Sequence, residues 1–391
     1  MLFSLALIFL LGMILGSIFT KLKLPALLGM LITGIILGPY ALNLLSPDLL
    51  GISGDLRKIA LIIILTRAGL NLDINDLKKV GRPAILMCFV PALFEICGML
   101  ILAPKLLHIS LIEAGILGTV IAAVSPAVIV PKMLKVMSEG YGTKKSIPQM
   151  VLAGASVDDV FVIVLFTAFT GLAKGVKISP MDFVNIPISI VTGLIAGTII
   201  GVILCRFFKI FHIRDSAKVL IVLSISFLLV TAEPYISRYI GFSGLLAIMA
   251  IGGAIQKYRN ELSQRLALKY SKLWVAAEIC LFVLVGATVD MKYAMAAGIS
   301  AVILIFAVLI FRVIGVLICV TKTSLNTKEK IFTMISYTPK ATVQAAIGSI
   351  PLAMGLACGN IVLTVAVLSI LITAPLGAFA IDATYKKLLS R

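Results

Sequence analysis

The segment Gly154-Ala155-Ser156-Val157-Asp158-Asp159-Val160, residues 154–160, places two adjacent carboxylates in the middle of a long apolar stretch, residues 146–172. A charged side chain at the centre of a membrane helix costs about 2.5–3.5 kcal/mol on insertion scales. Two adjacent charged side chains therefore require either partners that offset this cost or a functional role. The segment predicts a membrane helix that carries polar chemistry at its centre.

Composition excludes the ordinary soluble classes of protein. The chain has 391 residues, of which 61% are hydrophobic and 13% are charged, and its mean hydropathy is +1.16. Soluble domains are about half apolar and about a quarter charged. Length and composition together predict a polytopic membrane protein in which no separate soluble domain fits.

Charge and reactive residues exclude several kinds of site. The formal net charge is +17, but the Lys and Arg residues lie between apolar runs, as topology signals do, so no nucleic-acid partner is expected. The six cysteines lie inside apolar runs, and the sequence contains only two histidines. Neither a zinc site nor a histidine-based catalytic triad is therefore expected.

Apolar runs separated by charges and helix breakers predict thirteen spans, numbered here in chain order. Of the 34 Lys and Arg residues, 24 fall on the side that holds the C-terminus and seven on the other. Because basic residues accumulate in cytoplasmic loops, the N-terminus is predicted outside and the C-terminus in the cytoplasm. The predicted spans are 2–20, 25–42, 57–72, 82–103, 110–134, 146–172, 183–205, 215–233, 239–255, 273–290, 294–320, 328–355 and 359–384.

The spans repeat with a period of seven. Span 2 from Leu24 and span 9 from Phe242 share a Leu-Leu pair and a later glycine, and spans 3 and 10 share Gly-x-x-x-Asp, at residues 69–73 and 286–290. The same offset of 217 residues places Glu95 of span 4 on Arg312 of span 11. An odd period inverts the second copy, which is the inverted-repeat pattern of secondary transporters.

Spans 5 and 12 each contain a proline break. The first reads Val124-Ser125-Pro126, and the second reads Thr338-Pro339-Lys340. A proline frees a backbone carbonyl, and such groups persist in a membrane only where protein or a water-lined cavity satisfies them. Simple proline kinks are the alternative, but matched breaks in two repeats predict opposed half-helix ends that hold ions. The predicted supporting residues are Ser125, Pro126, Ser156, Thr338, Pro339 and Lys340.

The adjacent aspartates are the predicted ion site. Neighbouring helix positions differ by about 100°, so Asp158 and Asp159 face different directions. One can meet a structural partner while the other opens to a cavity. A carboxylate that can hold either a proton or a small cation is what antiport requires. Permanent pairing of both acids with cations is the alternative, but it leaves the need for two adjacent acids unexplained.

Glu95, Arg312, Lys340 and Arg67 are further charged residues within the predicted spans. Glu95 and Arg312 occupy matching places in the two repeats and are predicted to pair, since pairing offsets the cost of burial. Lys340 follows the break in span 12, where it could pair with Asp158, relay a proton or serve structure alone. Arg67 lies near the end of span 3, where its side chain is expected to reach the interface.

These motifs resemble the cation/proton antiporters, and especially the sodium/hydrogen exchanger subfamily B (NHA type) and its bacterial relatives, over essentially the whole chain. The resemblance is carried by residues 123–128, the tripeptide at 140–142, the Asp158-Asp159 pair, and residues 339–348 and 368–375. It implies an all-α fold of about thirteen membrane helices, with two inverted six-helix repeats and crossed broken helices. Bacterial antiporters with paired aspartates carry a lysine where this chain has Arg312, so their stoichiometry does not transfer.

The resemblance also implies an organisation and roles. A homodimer is expected, with Asp159 as the main site for the transported ion and proton, Asp158 as its partner, and Glu95 with Arg312 as a core ion pair. The implied parts are a dimerisation domain (1–80 and 211–292, spans 1–3 and 8–10), a linker helix (176–210, span 7) and a mobile ion-transport core (81–175 and 293–391, spans 4–6 and 11–13).

We therefore expect a sodium or lithium/proton antiporter of elevator type in a cell membrane, specifically a bacterial inner membrane. Its ligands would be Na⁺ or Li⁺ and protons, its surroundings lipid, and it would need no cofactor and perform no catalysis. A potassium/proton antiporter and a sodium-coupled organic anion symporter remain alternatives with a similar architecture. An intramembrane aspartyl protease is disfavoured, because its two aspartates should lie on different helices and face each other.

Overall fold

The chain is all-α in the part that the structure describes. A computed structural model describes residues 1–391 except 72–80, 174–179, 212 and 238, and only the backbone of 156, 157, 160, 180–187 and 291–297. The helices are α1 Leu2–Lys21, α2 Ala26–Leu37, α3 Pro47–Gly51, α4 Ser53–Asn71, α5 Arg82–Met87, α6 Val90–Leu107, α7 Leu111–Ala122, α8 Pro126–Ser138, α9 Ile147–Ala173, α10 Pro180–Ile210, α11 Asp215–Ile236, α12 Gly244–Tyr258, α13 Asn260–Ala287, α14 Met291–Val320, α15 Thr327–Ser336, α16 Thr342–Ile347, α17 Ile350–Ala353 and α18 Gly359–Leu388.

Each of the thirteen predicted spans coincides with a described helix or a run of described helices. Among the described residues, eight helical segments are long and apolar enough to cross a membrane, and shorter apolar helices accompany them. Spans 4, 5 and 12 are each divided, into α5 with α6, α7 with α8, and α15 with α16 and α17. The fold class predicted from the sequence, an all-α polytopic membrane protein, is confirmed.

The half-helices α7 and α15 each begin with a capping box. At α7 the amide of Glu113 donates to Ser110 Oγ at 3.3 Å, and the amide of Ser110 donates to Glu113 Oε2 at 2.8 Å. Asn326 and Glu329 form the same reciprocal pair at α15, at 2.9 and 2.7 Å. Each box satisfies two orphan donors at a helix start, so these ends are determined locally by the sequence.

Helix α13 begins much earlier than the predicted span 10, which started at residue 273. The added turns carry charged residues, so an apolar-run criterion excludes them. However, Leu262, Leu266 and Tyr270 recur every four residues and are buried, and the hydroxyl of Ser263 donates to Leu70 O at 2.7 Å. The amphipathic stripe, rather than total hydropathy, continues the helix.

The residues form two compact units. Unit 1 comprises Met1–Asp55, Leu77–Lys174 and Ile279–Arg391, and unit 2 comprises Leu56–Asp76 and Gly175–Glu278. In unit 1, α2 crosses the end of α13 where a Cβ on Gly34 or Gly286 would collide with backbone of the other helix. Small residues permit this close approach of helix backbones.

Unit 2 contains the mirrored version of the same contact. There, a Cβ on Gly69 of α4 would collide with the carbonyl of Met249 in α12, and a Cβ on Gly252 would lie 2.6 Å from the amide of Leu70. Spans 2 and 10 thus meet as spans 9 and 3 do, through glycines at equivalent positions. This packing agrees with the predicted repeat; Asp73 of the repeated motif lies outside the described residues.

The cytoplasm-predicted end of α8 is tied to the end of α18 within unit 1. The hydroxyl of Tyr385 donates to Glu139 Oε2 at 2.8 Å, which holds the pKa of that carboxyl below its usual range. The amide of Gly142 donates to the carbonyl of Ser390 at 2.7 Å, and Lys132 pairs with Asp382. These contacts anchor the half-helix α8 at the end opposite its break.

Helices α10 and α12 of unit 2 pack through a glycine stripe, which predicts a specific sensitivity to side-chain size. A Cβ on Gly193, Gly197 or Gly201 would meet α12, and at Gly197 it would collide with the carbonyl of Ala247. Gly197→Leu should therefore lower the apparent melting temperature in detergent, since overpacking typically costs about 1–3 kcal/mol.

Thr198→Leu is the matched control for this prediction, because the neighbouring Thr198 is exposed. It adds an apolar side chain to the same helix without filling the α10–α12 contact. Differential scanning fluorimetry of both variants gives the comparison. Equal melting temperatures for the two leucine variants would contradict the packing described here.

Candidate functional site

Helix α9 carries the aspartate pair at the centre of unit 1. Asp158 is 0% exposed and Asp159 is 5% exposed. The two side chains have different surroundings, as expected for neighbouring positions on a helix. Asp158 Oδ2 accepts hydrogen bonds from the amide of Val124 at 2.9 Å and from Arg312 Nη2 at 2.8 Å. For Asp159, no hydrogen bond or ion pair is found among the described residues.

Arg312 of α14 is the hub of the site. Its fully buried guanidinium donates through Nε to the carbonyl of Tyr337 at 2.7 Å and through Nη1 to Glu95 Oε2 at 2.8 Å. Nη1 also donates to the carbonyl of Ala122, and Nη2 donates to Asp158. One cation therefore binds two carboxylates and the backbone at both proline breaks.

The carbonyl of Ala122 is available because of a proline four residues later. Pro126 is the first residue of α8 and has no N–H to donate to residue 122, so α7 ends at Ala122 and the chain is extended through Ala123 and Ser125. A buried carbonyl without a donor is costly, and Arg312 supplies the missing donor. The break predicted from Pro126 is thus stabilised by a side chain from the other repeat.

The two breaks also contact each other directly. The amide of Ser125 donates to the carbonyl of Pro339 at 2.8 Å. Gln344 of α16 donates through Nε2 to the carbonyls of Ile121 and Ala123, at 3.1 and 2.9 Å. Side chains and backbone of the second break therefore satisfy the end of α7, in agreement with the crossed arrangement that the family resemblance implies.

Lys340 pairs with Glu95 rather than with Asp158, the partner considered from the sequence. Its Nζ lies 2.5 Å from Glu95 Oε2, and both side chains are buried. Its amide donates to Thr373 Oγ1 at 2.9 Å. Glu95 thus joins Lys340 and Arg312, and the cluster has three carboxylates against two cationic side chains.

The other predicted supporting residues are placed differently from one another. Thr338 Oγ1 donates locally to the carbonyl of Ile335 at 2.9 Å. Pro339 contributes its carbonyl to the contact with Ser125. The side chain of Ser156 lies outside the described residues.

A third break, in span 4, was not predicted. Helix α5 ends at Met87 and α6 begins at Val90, because Pro91 cannot donate to the carbonyl of Met87. The hydroxyl of Tyr337 supplies that donor at 2.9 Å, and the guanidinium of Arg312 lies over the Tyr337 ring, 5.1 Å from its centroid. Pro91 could have predicted this break from the sequence. The sequence does not indicate which side chain donates to the carbonyl that the proline leaves without a donor.

Two further intramembrane charges of opposite sign, in unit 2, were not linked from the sequence. Arg67 of α4 and Glu278 of α13 attract each other electrostatically. Reaching the interface is therefore an incomplete explanation of Arg67. The offset of 217 residues that pairs Glu95 with Arg312 does not relate Arg67 to Glu278, so the repeat alone does not indicate this interaction.

Several buried oxygen atoms of the site accept no hydrogen bond from any described residue. They include one carboxylate oxygen on each of Glu95, Asp158 and Asp159, together with Ser125 Oγ, Thr342 Oγ1 and Gln344 Oε1. Buried polar atoms are nearly always partnered. Oxygen ligands of this kind suit small hard cations, and carboxylate oxygens also accept protons.

Sequence comparison relates this chain to a family of membrane exchangers. The family profile described as "Sodium/hydrogen exchanger, transmembrane" matches residues 5–387. Sodium/hydrogen exchanger 9B2 of Homo sapiens is 34% identical over 94% of this chain and 70% of its own length. Sodium/hydrogen exchanger 9B2 of Xenopus tropicalis is 32% identical over 96% of this chain and 72% of its own length.

Similarity also extends to a solved structure and to a second human protein. The sodium proton antiporter MjNhaP1 of Methanocaldococcus jannaschii at pH 8 superposes with a TM-score of 0.86 at 21% identity, over 99% of this chain and 98% of that one. Sodium/hydrogen exchanger 9B1 of Homo sapiens is 30% identical over 100% of this chain and 78% of its own length. The antiporter fold predicted from the sequence is thereby confirmed. The chain belongs to the sodium/hydrogen exchanger family, whose members are membrane transporters and not enzymes.

Proposed function

We propose that this protein exchanges Na⁺ or Li⁺ for protons across a membrane, with both ligands competing for Asp159 beside Asp158. The observation that carries the proposal is the unequal partnering of the two carboxylates. One oxygen of Asp158 accepts two hydrogen bonds, including one from Arg312, whereas among the described residues no donor binds Asp159, whose Oδ1 is buried. The free carboxylate is the one available to exchange ligands.

Competition for one carboxylate makes the exchange obligatory. Deprotonated Asp159 binds the cation on one side of the membrane, and a proton displaces it on the other. Because the site holds one or the other, neither ligand crosses alone through it. The nearby Asp158 stays bound to Arg312 throughout and keeps the local field negative, which favours whichever positive ligand is present.

The proposed movement is an elevator-type displacement of a core against a static part. The core would be the ion-transport part (81–175 and 293–391), and the static part would be the dimerisation domain (1–80 and 211–292), joined by a linker helix (176–210). Support for a core that moves as one body comes from its contacts: Arg312 of α14 binds residues of α6, α7 and α9 and the residue that follows α15. Such a network resists local deformation and favours rigid movement.

The proposed setting is a bacterial inner membrane, with a homodimer as the working assembly and lipid around it. The N-terminus would lie outside and the C-terminus in the cytoplasm. What supports this orientation is the charge asymmetry of the loops, since 24 Lys and Arg residues fall on the proposed cytoplasmic side and seven on the other. No cofactor takes part; the ions are the transported substrates.

Asp159→Asn tests the proposed site directly. Asparagine keeps the shape of the side chain, but it neither takes up a proton nor provides a negative charge for Na⁺. Na⁺-driven proton movement should therefore fall to the level of empty vesicles. The measurement is recovery of a quenched pH-sensitive dye in everted vesicles after addition of NaCl, LiCl or KCl. Recovery with KCl alone in the wild type would support the potassium/proton alternative.

Asp48→Asn is the matched control, because Asp48 is an exposed acid near the start of the short helix α3. It should leave the dye response at the wild-type level. If Asp159→Asn retained Na⁺-driven proton movement at equal expression, Asp159 would not be the site.

The charge balance of the cluster predicts electroneutral exchange. Glu95, Asp158 and Asp159 together carry one more formal charge than Arg312 and Lys340, the two cations that pair with Glu95 and Asp158. One proton or one Na⁺ neutralises the excess, so each half-cycle carries an uncharged core. Na⁺-driven proton flux in proteoliposomes should not change with a membrane potential imposed by K⁺ and valinomycin.

Liposomes with equal K⁺ on both sides and valinomycin, where the potential is clamped at zero, provide the reference rate. A rate that rises when the inside is made negative and falls when it is made positive would contradict one-for-one exchange. It would mean that an additional proton moves with each cycle.

A further inference from the structure

Gln344 occupies a position in the crossing that the roles described so far do not explain. Its side chain is fully buried, and its Nε2 donates to two carbonyls at the end of α7, at Ile121 and Ala123. Both hydrogens of the amide nitrogen are therefore used. The amide oxygen, Oε1, is buried and accepts no hydrogen bond from any residue that the structure describes.

The two hydrogen bonds determine the orientation of the amide. An amide group has its oxygen and nitrogen on opposite sides, so a nitrogen held against the end of α7 directs the oxygen away from those carbonyls. A flipped amide would place Oε1 against two carbonyl oxygens, which repel it. The lone pairs of the buried Oε1, for which the described residues provide no donor, therefore indicate a ligand that is not part of the chain.

Ser125 supplies a second oxygen in the same segment. It follows Ala123 by two residues, is fully buried, and its amide donates to Pro339. Although it is the residue before α8, its hydroxyl makes no capping hydrogen bond, and Ser125 Oγ has no partner in the described part of the chain. Its neighbour Val124 binds Asp158, which joins this segment to the aspartate pair.

We infer that Gln344 Oε1 and Ser125 Oγ are neutral oxygen ligands of the transported cation, and that they select Na⁺ over the proton at the neighbouring carboxylate. The inference deepens the proposed function and rests on it. A partly dehydrated Na⁺ needs several oxygen ligands, which unwound helix segments supply in transporters. A proton needs only one carboxylate oxygen. Loss of a neutral ligand should therefore weaken cation binding and leave proton binding unchanged.

Competition kinetics separate these two affinities. When Na⁺ and H⁺ compete for one site, the apparent KM for Na⁺ rises linearly with proton concentration. The intercept of that line reports Na⁺ affinity alone, and the ratio of slope to intercept reports proton affinity alone. Purified protein in proteoliposomes, assayed at several pH values, gives both quantities for each variant.

Ser125→Ala and Gln344→Met should each raise the intercept by roughly tenfold, the effect of losing one good polar contact, and leave the ratio of slope to intercept at its wild-type value. Gln344→Glu retains an oxygen at the end of the side chain but loses the amide donors. If the oxygen is a ligand, its intercept should be lower than that of Gln344→Met. If Gln344 serves only as a donor to α7, glutamate should be worse than methionine, since its oxygens would oppose the carbonyls.

The matched controls make the same substitutions at positions outside the site. One replaces a buried serine whose hydroxyl already has a hydrogen-bond partner, and the other replaces an exposed glutamine. Ser226→Ala removes a buried hydroxyl that donates to Val222 O at 2.8 Å. Gln264→Met changes an exposed glutamine in α13. Both should give wild-type intercepts and ratios.

Stability by differential scanning fluorimetry with and without NaCl gives an independent measure of cation binding. The stabilisation produced by Na⁺ should shrink in Ser125→Ala and Gln344→Met, and remain in the two controls. If Gln344→Met does not fold, Ser125→Ala and Gln344→Glu still decide the outcome.

Unchanged intercepts in Ser125→Ala and Gln344→Met, or intercepts and ratios that shift together in both, would overturn the inference. An intercept for Gln344→Glu at or above that of Gln344→Met would overturn it for Gln344. Failure of the proposed function has a different signature, because wild-type protein would then show no Na⁺-driven proton movement at all.

Discussion

The buried guanidinium of Arg312 is the interaction on which the site depends. Proline at 126 leaves a carbonyl without a donor in a medium that contains no water to replace it, and the arginine supplies that donor while also binding the carbonyl of Tyr337 at the second break. Its charge is in turn balanced by Glu95 and Asp158. Breaks, cation and carboxylates therefore require one another, and none of them would be stable in the membrane alone.

This dependence explains why the chain uses two adjacent acids. One of them, Asp158, is committed to Arg312 and to the amide of Val124, so it belongs to the framework. The other, Asp159, lies one position further along α9 and faces different surroundings, because neighbouring helix residues point about 100° apart. One short motif thus provides one carboxylate that is held by Arg312 and a second one for which no donor is found among the described residues.

Sequence reasoning was strongest where one residue has one local consequence. Apolar runs predicted the thirteen spans, Pro126 and Pro339 predicted two breaks, and the repeat offset brought Glu95 to Arg312. It was weaker where a signal is diluted: Pro91 also breaks its span, and α13 extends by more than three turns beyond its apolar run. Glu278 was overlooked because the repeat offset of 217 residues places no charged residue opposite it, and only the structure brings it near Arg67.

The sequence by itself determined the membrane class, the inverted repeat, the two broken helices and the aspartate pair, since these follow from hydropathy, period and the missing N–H of proline. Only the tertiary structure decided which donor meets which acceptor: Lys340 joins Glu95 instead of Asp158, and Gln344 satisfies the end of α7. The reason is physical. A proline break shows that a carbonyl needs a new partner. The donors at the end of α7, Arg312 and Gln344, come from more than 180 positions away in the chain, and only the packing of the two repeats brings them within hydrogen-bonding distance.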